Sequence, residues 1–456
     1  MHVPVREEIP AGKSLTVGFS AAADPLLFSD RRLGENQSTS PRVGSPAPSA
    51  SCTVKPILLD YGCADPLVLE PSAADIAFDV RGPAGAGGAA ATALVAGAID
   101  SPRSGPPLVA HVVPGDRVAL ALCGRLPAED EIVATICGRL ASAGVSAGDL
   151  TILHAPPLTP HPAADTAAPS LRAGAILFDP SQESGSAYLG PDAEGNPLYV
   201  ARPLVEADVV VTVGLHGWDA GLGGATFDGE LWPAFAPGAD RADVLRKLAR
   251  SGRKALAPLR ERSREIGWQL GTMANLCVVP GRSSTLHAIE FGLARSAARE
   301  ARRHAELWRP RLPGSARLTI ASLAVPEAGL GALVRAVAAA ARTTHPEGTI
   351  CLASRFAATP GPVFQRWRQG VALVPLVREA LTSGDPILIA DAVVTRFFAQ
   401  ALGDRRLVLL SDLDQGIVED LEFGHAANPE AVERLAHRAD SLVVLHEADR
   451  MLPRQA

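Results

Sequence analysis

The chain has 456 residues, of which 47% are apolar and 20% charged, with a formal net charge of −6. That length suits roughly two to three domains, and that apolar share can bury a large core. Basic residues are spread along an acidic chain, which argues against a nucleic-acid footprint, and no apolar run approaches the ~18 residues of a membrane span.

In chain order, residues 1–54 are rich in Ser, Pro, Gly and Ala, as in "GENQSTSPRVGSPAPSAS". No period of a helix or strand persists there, so a disordered leader dispensable for folding is expected. Residues 55–283 read as a first α/β domain. Within it "RGPAGAGGAAATA", Arg81 to Ala93, reads as a loop. "DRVALAL" is a short buried strand after Pro-Gly. In "AEDEIVATICGRLASAG", Ile132, Ile136 and Leu140 stand four apart, acids crowd the first turn and Gly144 closes the end, which predicts an amphipathic helix. "DLTILHA", "AGAILFD" and "ADVVVTVG" are further strands, apolar on both faces as in a parallel sheet covered by helices.

Ser284 to Trp308 reads as helical and arginine-rich on one side, with residues 284–305 linking the domains. Residues 306–456 form the second domain. Its strands are "ARLTIASL", "GTICLAS", "RRLVLLS" and "SLVVLH"; its helices are "EAGLGALVRAVAAAAR", a stretch around Phe364 to Leu381, and "NPEAVERLAHR" with Asn428 as N-cap. The expected fold is α/β, two domains with mostly parallel sheets flanking a central cleft.

Three stretches could carry chemistry. "VGLHGWDAGLGGATF", Val213 to Phe227, places His216 at the C-terminal end of a strand, where open α/β sheets hold ligands. Gly221, Gly223 and Gly224 permit close backbone approach to a phosphate or planar cofactor, and Asp219 could bind a ribose hydroxyl or orient the imidazole. The alternative is a glycine-rich turn with a surface histidine. "LHAPPLTPHP" offers His154 and His161 as acid/base groups or metal ligands, or is a rigid structural loop. "LCGRLPAEDE" offers Arg125 to a carboxylate or phosphate, or is merely a surface arginine. Six scattered cysteines form no CxxC pair, which fits a reducing, cytoplasmic setting and gives no zinc spacing.

The order of motifs from about Ile57 to Leu452 resembles the nickel-pincer-nucleotide lactate racemases. The resemblance is carried by "LDYGCADPLVLEP", "SPRSGPPLVAHVVPGDRVALAL", "LASAGVSAGDLTILHA" and "NPLYVARPLVEADVVVTVGLHGWDAGLGGA", then by "EGTICLAS" and "SLVVLHEADRMLP". It implies two α/β domains closing on a cleft. It also implies racemisation or epimerisation of a small 2-hydroxy acid, by hydride transfer to a nickel-pincer nucleotide between two acid/base histidines. His216 matches one of those histidines; the other position falls on Thr159, with His161 two residues away. Gly223 and Gly224 match the cofactor-binding Gly-Gly pair, Arg125 lies roughly at an arginine of the family, and Arg335 stands for a substrate-binding lysine. The lysine that tethers the nucleotide falls on Thr226, and no lysine occurs between Lys55 and Lys247. No histidine lies between His216 and His287, so the metal ligands stay unassigned. Three readings follow: a racemase with relocated ligands, a catalytically degenerate homologue binding a nucleotide or hydroxy acid, or an enzyme with a non-covalent cofactor.

Overall fold

The computed structural model describes residues 56–71, 77–158, 175–227, 229–325 and 328–456; the leader 1–54, Thr159 and His161 lie outside them. The apolar runs form strands as the sequence predicts. In the first domain these are β2 (Val118–Cys123), β3 (Leu150–His154), β4 (Ala175–Leu177) and β5 (Val209–Leu215), joined by β6 (Ala274–Pro280) and β7 (Leu286–Gly292), which the sequence does not mark as strands. They make one six-stranded sheet in the order β7-β6-β5-β2-β3-β4. All pairs are parallel except β6 with β7. β2 is buried at all six positions, which is what a strand covered on both faces requires.

The second sheet contains β8 (Ala316–Ser322), β9 (Thr344–Ala353), β10 (Arg406–Leu410), β11 (Gly424–His425) and β12 (Leu442–Leu445). Its sixth strand, β1, is Ala77–Val80, and the order is β11-β10-β9-β8-β12-β1, all parallel. The chain thus forms two α/β domains with mostly parallel sheets.

Helices close the layers. α1 is Gly88–Asp100 and α2 is Glu129–Ser142, whose buried face is Ile132, Val133, Ile136 and Leu140. α3 is Ala294–Ala305, α4 is Leu330–Ala341, α5 is Pro386–Leu402 and α6 is Pro429–Arg438. Asn428 caps α6 as expected, its side chain accepting the Ala431 N–H at 3.0 Å.

Four local readings are revised. Gly88 to Ala93 is the start of α1 rather than loop, because the alanine run favours helix and Ala91, Val95 and Ile99 bury one face. Leu286–Gly292 is strand rather than helix. The turn residues of "PGRSST" fold it back on the free edge of β6, where Ile289 and Phe291 find a ladder. The helix expected around Phe364 to Leu381 is two helices, Pro362–Arg368 and Leu373–Ser383, parted at Gly370. The seventeen-residue α5 has no counterpart in the sequence reading. In addition, the stretches Ile57–Leu69 and Ala77–Val80 sit with the second sheet, although their sequence position suggests the first domain. The hairpin of Ile57–Leu59 and Leu67–Leu69 packs against Ile320, Cys351, Val432 and Val444, and Asp79 Oδ1 meets His446 Nε2 at 2.7 Å.

Candidate functional site

Each sheet reverses its strand order once. In the first, β2 leads to β3 on one side and, later in the chain, β5 lies on its other side. In the second, β8 leads to β9 while β12 lies on its other side. Such switch points leave a crevice beyond the C-terminal strand ends, where α/β sheets hold their ligands. Here the two crevices form a single cavity of about 480 Å³. Arg125, Leu126 and Pro127 enter it after β2, and Gly217 and Trp218 after β5. Ala324 and Val325 enter after β8, and Asp449 and Arg450 after β12. Arg335 enters from α4, a helix in which it is the sole charged residue, and Thr226 enters from the glycine-rich stretch.

The cavity therefore gathers Arg125, Thr226 and Arg335, three of the residues singled out by sequence. Arg125 is exposed, with its charge open to an anion. Gly223 and Gly224 do not line the cavity; they complete a tight hairpin, in which Trp218 pairs with Ala225 and Asp219 with Gly224. Gly223 has φ +72, a left-handed turn position that a side chain disfavours, and Arg253 Nε donates to Gly221 O at 2.9 Å across it. Asp219 Oδ1 accepts the Leu222 N–H at 2.9 Å, so its role in the fold is to hold this turn. His154 is buried, with Nδ1 at 3.7 Å from Glu129 Oε1, and burial lowers its pKa while Glu129 opposes that shift. It does not line the cavity.

His216 follows β5 directly, and its N–H donates to Val278 O at 2.7 Å, extending the ladder. Its neighbours Leu215 and Gly217 line the cavity, whereas its half-buried ring does not. Burial first, then the charge of Arg302, depress the imidazole pKa from 6.5 to about 4. The folded state thus takes up this proton only at lower pH than the unfolded chain does. The group's contribution to stability is full above pH 6.5 and is lost as pH falls towards 4. Across that interval wild type should lose up to roughly 3 kcal/mol more stability than His216→Gln. Urea unfolding at several pH values checks this; parallel losses would mean that the ring is not responsible.

Residues that the sequence reading did not single out complete the walls. Trp218 and Trp308 both line the cavity, and both indoles are anchored, Trp218 Nε1 to Ala305 O and Trp308 Nε1 to Pro280 O, each at 2.7 Å. Arg309 stacks on Trp218 at 4.2 Å. Asp449 Oδ1 accepts the Ala324 N–H at 2.7 Å. Trp218 stood inside the quoted glycine-rich stretch, but nothing local marks Trp308 or Arg450.

This donor set does not suit a covalently tethered, metal-bearing nucleotide. Among the described residues no lysine and no histidine line the cavity, and no cluster of His, Cys, Asp and Glu could hold a metal ion. Lys247 pairs with Asp243 at 2.8 Å along its own helix. The cavity is lined by the guanidinium-bearing Arg125, Arg335 and Arg450, the carboxyl-bearing Asp449 and the hydroxyl-bearing Thr226 and Ser284, with Trp218 and Trp308 in its wall. Guanidinium and hydroxyl groups can bind a small anion.

No family model matches the chain, and no curated protein matches it. Solved structures do. The lactate racemase apoprotein of Thermoanaerobacterium thermosaccharolyticum aligns with a TM-score of 0.64 at 15% identity, over 88% of this chain and all of that one. A Thermotoga maritima protein aligns with a TM-score of 0.53 at 11% identity, over 80% of this chain and 97% of its own. The fold is therefore lactate-racemase-like. No helix among the described residues is long and apolar enough to cross a membrane.

Proposed function

We propose that the protein binds a small anionic ligand, a 2-hydroxy acid or the anionic part of a nucleotide, without covalent attachment, in the cleft between its two domains. On this reading it is a catalytically degenerate relative of the racemases whose fold it resembles. The observation that carries the proposal is the meeting of Arg125 and Arg335, from separate domains, in one cavity that also exposes Thr226. Arginine pairs with carboxylate or phosphate through two parallel N–H bonds, and such contacts are strong when partly shielded from water. A hydroxyl in the tether's position can donate a hydrogen bond but cannot act as the amine that attachment requires.

Calorimetric titration with D-lactate, L-lactate and nicotinate mononucleotide tests this. Saturable binding of at least one, abolished by Arg125→Ala together with Arg335→Ala, is expected. Absence of binding by wild type would overturn the proposal. The racemase reading keeps support from the fold alone, and conversion of D- to L-lactate by purified protein would restore it. Intact mass of protein produced alongside the enzymes that make the pincer nucleotide should equal that of the bare chain. An adduct mapped to Lys247 or Lys254 would reverse the non-covalent part of the reading.

A further inference from the structure

Beside the cavity one carboxylate takes part in a contact between the two domains. Glu447, just past β12, accepts the Ser283 N–H at 2.7 Å on Oε1 and the Arg450 guanidinium at 2.8 Å on Oε2. The same guanidinium nitrogen donates to Gly281 O at 2.9 Å. Gly281 and Ser283 belong to the turn between β6 and β7, so the bonds close a ring from the second domain to the first and back. Ser284 and Arg450 line the cavity, which makes this ring part of its wall.

The backbone on both sides of the contact is held in an unfavourable region. Ser283, Ser284 and Glu447 have φ of 55°, 56° and 56°. None is glycine or asparagine, and side chains of these types reach left-handed backbone only when their surroundings over-determine it. Strain of this kind gathers at ligand clamps and switch regions. Here it falls on the residues that face each other across one interdomain contact.

We infer that Glu447 is a positioning residue for the cleft: its carboxylate latches the two domains together and aims Arg450 along the cavity wall. The inference rests on the reading of the cleft as a ligand site. Ligand affinity then depends on a residue that need not touch the ligand.

Two variants separate positioning from plain structural support. Glu447→Asn accepts left-handed backbone readily but is too short to reach both partners. Glu447→Gln keeps the length and one acceptor oxygen. Hydrogen exchange of residues 281–285, urea unfolding, and titration with D-lactate, L-lactate and nicotinate mononucleotide are measured on the full chain. The Asn variant should exchange at least about tenfold faster in that turn, unfold at the same urea concentration, and bind the wild-type ligand about tenfold more weakly. The Gln variant should recover most of the protection and affinity. Unchanged exchange in the Asn variant would sink the latch. Faster exchange with unchanged affinity, or a weakened affinity matched by a general loss of stability, would sink the positioning role. If wild type binds none of the probes, the reading of the cleft fails and this role with it, whatever the exchange data show for the contact.

Discussion

Trp308→Ala is expected to destabilise the protein by about 3–5 kcal/mol, the range for removing a large buried aromatic side chain. Trp308 is 1% exposed and sits where the two domains join. Its indole N–H donates to Pro280 O of the first sheet, and its carbonyl accepts the Leu452 N–H at 2.9 Å in the second domain. The ring packs so tightly on Gly82 that a Cβ there would lie 2.1 Å from it. Trp308→Phe keeps much of the packing but strands Pro280 O, and should cost less than the alanine change. Urea or guanidinium unfolding of the three proteins gives the comparison. A loss below about 1 kcal/mol for the alanine variant would mean that the junction repacks, contrary to the geometry.

Arg335→Ala is expected to weaken binding of the anionic ligand proposed for the cleft by one to two orders of magnitude. A hydrogen bond to a charged group is worth roughly 1.5–3 kcal/mol, and each 1.4 kcal/mol is tenfold in affinity. Little of this should appear in stability, because the residues of α4 that pack the core are its alanines, leucines and valines while Arg335 faces the cavity. Arg335→Lys restores charge but not the planar fork, and should recover part of the affinity. Titration with the ligand that wild type binds, combined with urea unfolding, checks both halves. Equal affinity for wild type and Arg335→Ala would remove this residue from the site and leave Arg125 as the anion partner.

The two expectations differ in how far they could be read from sequence. Arg335 is reached through the family resemblance, which sets it at a substrate-binding lysine on the helix "LGALVRAVAAAA". Trp308 is not reached this way. It stands at the end of an arginine-rich stretch, and its partners Gly82, Pro280 and Leu452 are far from it in the chain.

Most of the parallel strands, the α2 and α6 helices, and the placement of Arg125 and His216 just past strand ends are legible in the residues alone, whereas the strands Ala77–Val80, Ala274–Pro280 and Gly424–His425 are not. The legible features depend on periodicity and on capping residues, which act over a few positions and can be read wherever they occur. The remainder came from packing. It moved Ala77–Val80 to the edge of the second sheet and gave Leu286–Gly292 a strand partner. It placed Gly223 and Gly224 in a hairpin while Thr226 faced the cavity, and it turned His216 into a half-buried neutral imidazole. It also brought Glu447 to Ser283 across 164 positions of sequence. All of these share one cause. They depend on which strand ends face one another once two sheets have packed, and that is fixed by the burial of whole surfaces rather than by the preference of any local segment.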